Sequence, residues 1–161
     1  MRMSENAIVL SIRPEYAEKI FQGNKHVELR RICPKHIKRG TLVLIYVSSP
    51  IQSLAGAFKV DHVIKRPLQE LWELVQNKAG ITRQEFDAYF QGVSSGIGIF
   101  FTETWKLIHP IKLQELQQEM AGFLPPQGFR YITKREIDSS QLADFVEDAE
   151  KIMKKISLCT Q

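Results

Sequence analysis

Apolar residues along this chain recur at two periods, and the switches between them outline the elements. Residues 7–12, "AIVLSI", are a short apolar run between polar positions, which predicts a buried strand. Residues 41–50, "TLVLIYVSSP", predict the strongest strand, and residues 53–64 predict another in which Gly56 marks a bulge. Residues 96–108 and 129–133 also carry strand character. Between these the period lengthens. Pro14 suits a first helical position, Ala17, Ile20 and Phe21 recur at helical spacing, and Gly23 ends the run. Leu68, Leu71, Trp72 and Val75 predict a second helix. Thr82 and Glu85 form a capping-box signature ahead of Phe86, Tyr89 and Phe90, which predicts a third, and Leu113 with Leu116 marks a short fourth. From Leu142 to Ile156 a long apolar stripe predicts a C-terminal helix, acidic early and basic late at Lys151, Lys154 and Lys155, as the helix dipole favours.

Strands at both ends of the chain around a two-helix insertion predict an α+β fold built on a small closed or partly closed sheet. One domain is expected over residues 1–137, with residues 138–161 as a C-terminal helix packed on it or extending from it. The 161 residues, 43% apolar and 25% charged, give room for one core, and no repeat or long linker divides them. No eighteen apolar residues occur together, so no membrane partner is expected and a cytoplasmic location is. Cys33, Cys159 and the four histidines lack zinc-ligand spacing, so neither a metal nor another cofactor is expected.

Charge sharpens the picture because it is unevenly placed. Residues 1–66 hold twelve Lys/Arg against five acids, a net +7, which leaves −3 for the rest of a chain whose total is +4. Such a cluster favours a polyanionic partner, although a solvated basic face has the same composition.

The stretch "GNKHVELRR", residues 23–31, packs five ionisable side chains into nine positions. Strand alternation puts Val27 and Leu29 on one face and gathers His26, Glu28 and Arg30 on the other, with Lys25 at the mouth. Glu28 and Arg30 could simply pair, and at a surface such a pair contributes only about 0–1 kcal/mol. In a cleft, Lys25, Arg30 and Arg31 would hold an anion while Glu28 accepts from a base amino group or orients water. Ser48 and Ser49 end the strongest strand, where hydroxyls either meet phosphate or bond their own turn. In "PPQGFRYI", Gln127 can read a base edge, Arg130 and Tyr131 are further cleft candidates, and Phe129 is assigned to the core.

The runs "LSIRPEYAEKIFQGNKHVELRR", "RGTLVLIYVSSPIQSLAGAFKV" and "FLPPQGFRYI", in this order, resemble the ASCH domain, a branch of the PUA-like superfamily. The resemblance covers residues 7–137 and centres on G-x-K-x-x-E-x-R at Gly23, Lys25, Glu28 and Arg30. It implies a PUA-like β-barrel with helices at its ends and a cleft near that element for RNA or a nucleotide-like ligand. Some small members similar in this element hydrolyse the acetyl amide of N4-acetylcytidine with a lysine, a threonine three residues later and a glutamate elsewhere. Lys25 matches the lysine, Glu28 stands in the threonine's place, and no position here matches the glutamate.

The leading expectation is therefore a non-catalytic module that binds RNA or a modified nucleotide. Lys25, Arg30 and Arg31 would hold phosphate, Glu28 and Gln127 a base edge, and Tyr131 a stacked base. One alternative is a small amidohydrolase on an acylated nucleoside, with Lys25 as base or electrostatic aid and Glu28 activating water. Another is a regulatory scaffold in transcription or translation that forms a homodimer or docks on a protein through the C-terminal helix. Three sharper expectations follow. Arg30→Ala abolishes binding with little loss of stability, Lys25 stays protonated beside Glu28, and Glu28→Thr is the change that raises amidohydrolase turnover.

Overall fold

The computed structural model describes residues 6–147. The chain runs through β1 (Asn6–Ile12), α1 (Pro14–Phe21), β2 (Val27–Arg30), β3 (Leu42–Val47) and β4 (Ser53–Pro67). It then diverts through α2 (Leu68–Val75) and α3 (Arg83–Tyr89), and returns along β5 (Ser95–Lys112), α4 (Leu113–Glu119), β6 (Phe129–Thr133) and α5 (Lys134–Asp138). Each predicted strand and helix of the described region is present, and the capping box of Thr82 and Glu85 starts α3 as its spacing predicts. The shared signature Thr133-x-x-Glu136 was overlooked, and it opens α5 in the same way.

The six strands form one sheet in the order β2-β5-β4-β3-β1-β6. Only β1 and β3 pair in parallel, and the other neighbours are antiparallel. All six residues of β3 are buried, because this strand is covered on both faces. Leu44 and Tyr46 face a core with Leu54, Ile111, Phe123 and Ile132, whereas Val43 and Ile45 face one with Leu10, Ile20, Phe58 and Phe101. A third cluster joins Val27, Leu29 and Phe100 to Leu71, Phe86 and Phe90, so the inserted helices cover β2.

The architecture is α+β, but the expected barrel is an open sheet: no ladder joins its edge strands β2 and β6. These edges nevertheless approach each other. Arg30 on β2 donates to the carbonyl of Ser11 on β1 and to that of Gly128, just ahead of β6. The sheet must curl to allow this, and register shifts within β3–β4 and β4–β5 supply the bends. One lies at Gly56, where a Cβ would sit 2.2 Å from the Trp105 carbonyl oxygen and 2.6 Å from the Phe21 ring. Only glycine fits that approach.

Residues 142–147 begin a helix, and Leu142 and Val146 are buried in the core beside Phe123 and Ile132. The remainder of the predicted C-terminal helix lies outside the described residues. Among the described residues no helix is long and apolar enough to cross a membrane.

Candidate functional site

The seam between the approaching sheet edges is a cleft of about 740 Å³. Its floor is built by the short segment from α1 to β2. After α1 the chain turns at Gly23, and the main chain of Asn24 and Lys25 bonds back to the Lys19 carbonyl. The insertion then closes over this turn: His26 donates its N–H to the Lys78 carbonyl, Lys19 Nζ donates to Gly80, and Lys25 Nζ donates to Ala79 at 2.6 Å. Gly80 takes a positive φ of 66° and would bring a Cβ to 3.3 Å from the Lys25 side chain, so the turn needs glycine for shape as well as space.

Lys25 is only 3% exposed, and its Nζ lies 3.8 Å from Glu28 Oε2. Arg30 Nη2 reaches Glu28 Oε1 at 3.1 Å, with side chains 12% and 10% exposed. Glu28 thus stands between two buried cations. Val27 and Leu29 pack into the third core cluster, as alternation requires, and Leu29 also lines part of the cleft wall. Burial lowers the Lys25 pKa below that of an ordinary lysine, and Arg30 and Lys19 push in the same direction against Glu28. The net shift is opposite to the one Glu28 by itself would give, because desolvation outweighs one carboxylate.

The sign of the resulting pH effect is definite. Between the lowered value in the folded state and about 10.4 in the unfolded chain, the unfolded state holds the additional proton, so Lys25 makes stability rise with pH there. Lys25→Met should flatten that rise in denaturant midpoints measured upward from neutral pH. A rise of the same size in the variant would assign it to other groups.

The walls combine apolar, aromatic and polar groups. Ile12, Leu29, Ile81, Pro125 and Pro126 are joined by Tyr16, Tyr46 and Tyr89, and by Ser11, Arg13, Gln52 and Glu85. Tyr16 Oη donates to Glu85 Oε2 at 2.7 Å, linking α1 to α3. Burial and this acceptor push the Tyr16 pKa up to about 12.

Of the residues singled out in the sequence, Lys25, Glu28, Arg30, Ser48, Ser49 and Gln127 meet in this cleft. Arg31, Arg130 and Tyr131 lie outside it. Arg31 donates to the Tyr89 and Gln91 carbonyls at the end of α3 and lines a separate cavity with Cys33 and Lys65. Arg130 pairs with Glu136 at 2.9 Å and lies over the Phe123 ring. Tyr131 donates to the Lys35 carbonyl and abuts Phe129 edge to face. Tyr16, Tyr46, Gln52, Glu85 and Tyr89 were missed. Tyr16, Tyr46 and Tyr89 each sit in an apolar pattern that reads as core, and Glu85 reads as a helix cap.

The family model of the ASCH domain matches residues 10–120. The chain belongs to the ASCH domain family. It is 30% identical over 128 residues to an ASCH domain-containing ribonuclease of Zymomonas mobilis, covering 80% of this chain and 85% of that protein. The crystal structure of the ASCH protein from Zymomonas mobilis superposes with a TM-score of 0.77 at 28% identity, over 83% of this chain and 92% of the other. The N-terminal domain of Staphylothermus marinus McrB shares the fold alone, with a TM-score of 0.55 at 12% identity over 83% of this chain and 91% of that one. The ASCH fold here consists of a mixed sheet and several helices, and the family match ends within residues 7–137, the span of the resemblance.

Proposed function

We propose that the cleft binds single-stranded RNA, with one nucleotide seated in the seam of the sheet. The observation that carries this reading is the buried Lys25–Glu28–Arg30 group on the floor of a nucleotide-sized cavity. Cavities of roughly 300–1,000 Å³ are of the size that holds small molecules. Tyr16 and Tyr89 offer ring surface, and Ser48, Ser49, Gln52 and Gln127 offer donors and acceptors suited to an unstacked base. The ribonuclease named among the relatives supports RNA as the polymer.

A second reading, cleavage of that RNA, is favoured by the same relative and by the lowered Lys25 pKa. A lysine that gives up its proton more readily can exchange it with a ribose hydroxyl or a leaving oxygen, while Arg30 offsets charge on the phosphate. The amidohydrolase reading has weaker support. Glu28 is tied to Lys25 and Arg30 instead of being free to activate water, and no threonine replaces it. The scaffold reading loses Leu142 and Val146, which fill the protein's own core.

The test is fluorescence anisotropy with a labelled single-stranded RNA between about 50 and 200 mM salt, with the same samples run on a gel. Affinity should fall with a log–log slope of about 0.7 per phosphate contacted. No binding, or binding indifferent to salt, would remove the RNA reading. Intact RNA after long incubation would leave binding without cleavage.

A further inference from the structure

A second cavity, of about 480 Å³, opens next to the cleft. Arg30 lines the cleft and Arg31, the next residue, lines the cavity. Arg31 also donates to the carbonyl of Tyr89, another cleft residue, so it forms the ridge between the two hollows. Across the sheet, Arg30 on β2 is in register with Ile97 on β5, and Ile97 with Lys65 on β4, so the three side chains share one face. Two strand spacings, about 10 Å, separate the Arg30 and Lys65 backbones.

The lining of this cavity divides into an apolar and a cationic part. Val63, Ile64 and Ile97 form the apolar part with Ile32, which is 73% exposed. An aliphatic side chain held in water beside a concave apolar surface offers cover to a flat apolar group. Arg31 and Lys65 supply the charge, and among the described residues no acid lines the cavity. The surroundings keep the same sign: residues 31–66 hold seven Lys/Arg against one acid, Asp61, which is taken up by Arg39 and His62. The loop that carries Ile32 is held in place, since Cys33 and Ile37 pack against the core of Ile20 and Phe101 and the Lys35 carbonyl accepts from Tyr131.

We propose that this second cavity seats a further nucleotide of a single-stranded RNA whose neighbour occupies the cleft, with its base on Ile32 and Ile64 and its phosphate against Arg31 and Lys65. This rests on the RNA-binding reading and adds the direction in which the strand leaves the cleft. A nucleotide joins a flat ring to an anion, which is the pairing that the lining offers. A bare polyanion would meet the charge and leave the apolar part in water.

Cys33 lines the cavity and serves as its reporter. In a Cys159→Ser background it is the one thiol left, and its alkylation by N-ethylmaleimide is followed by mass spectrometry. The probes are a hexamer of 2′-O-methyluridine, which resists cleavage through the 2′ position, its 5′-mononucleotide, and an inorganic polyphosphate of similar charge. At about ten times its Kd the hexamer should slow alkylation about 10-fold, as occupancy dictates, whereas the mononucleotide and the polyphosphate should leave the rate unchanged. Lys65→Gln should lower the log–log salt slope for the hexamer by about 0.7, the share of one phosphate. Ile32→Ser should weaken the hexamer about 5-fold at an unchanged slope, the scale of losing part of one buried aliphatic side chain. Both residues are exposed, so melting midpoints and mononucleotide affinity should stay level in the two variants. A bound hexamer that leaves Cys33 as reactive as in the free protein, or variants that bind it like the wild type, would overturn the second seat while RNA binding stands. Equal protection by the polyphosphate would also overturn it, since charge would then suffice. If no protein binds the hexamer, the RNA reading and the seat fall together.

Discussion

Arg30→Ala is expected to lower the melting midpoint by about 10 °C and to reduce RNA affinity at least about 10-fold. The side chain joins one edge of the sheet to the other through the Ser11 and Gly128 carbonyls, and it neutralises Glu28. Truncation leaves those acceptors without their partner in a place where the side chains are about nine-tenths buried. Breaking a buried pair costs about 3–5 kcal/mol, and a domain of this size shifts by roughly 2–4 °C per kcal/mol. From alternation alone this arginine reads as a cleft residue whose loss would spare the fold; its bonds across the seam lead to the opposite expectation. Differential scanning calorimetry checks the first half of the prediction and anisotropy the second. A variant with an unchanged midpoint would show that the curled sheet holds its edges together without the clasp.

Glu28→Thr is expected to destabilise the protein by about 3–5 kcal/mol and to yield no hydrolysis of N4-acetylcytidine. The carboxylate is the shared counter-ion of Lys25 and Arg30. A threonine hydroxyl cannot neutralise them, and without Glu28 the one anion that raises the Lys25 pKa is gone. Glu28→Gln should be milder, since its one amide oxygen can still accept from Arg30, although its NH2 then faces Lys25. Denaturant midpoints of the two variants test the ranking, and acetate release from the nucleoside tests the chemistry. A folded Glu28→Thr variant that releases acetate, with loss of the activity on adding Lys25→Ala, would restore the amidohydrolase reading.

Much of the architecture could be read from local patterns. The alternation of Val27 and Leu29 against Glu28 and Arg30 reflects the two-residue period of a strand, and the Thr82–Glu85 cap a hydrogen bond spanning three residues. The continuous apolar run of β3 implied burial on both faces. Of the cleft, the sequence offered Lys25, Glu28, Arg30, Ser48, Ser49 and Gln127, which stand in charged or polar stretches, and not the lining residues set in apolar patterns. Tyr46 was missed because an aromatic in an apolar strand has the same pattern whether its hydroxyl is paired, unpaired or absent. Arg130 and Tyr131 were drawn in by their neighbourhood to Gln127, yet each finds its partner elsewhere, in Glu136 and in the Lys35 carbonyl.

By itself, then, the sequence determined the elements, the two faces of β2, the family and the charged group at residues 25–30, since all of these depend on spacing along a few turns or on the match of whole segments. Tertiary structure alone decided how that group behaves. The Ala79 carbonyl that holds Lys25 comes from 54 residues away, and the Gly128 carbonyl that holds Arg30 from 98. Long-range contacts of this kind bury the cations, set the direction of the Lys25 pKa, and leave a cleft at the seam of a curled, open sheet. Burial and electric field at a side chain depend on everything packed around it, and no local pattern records that.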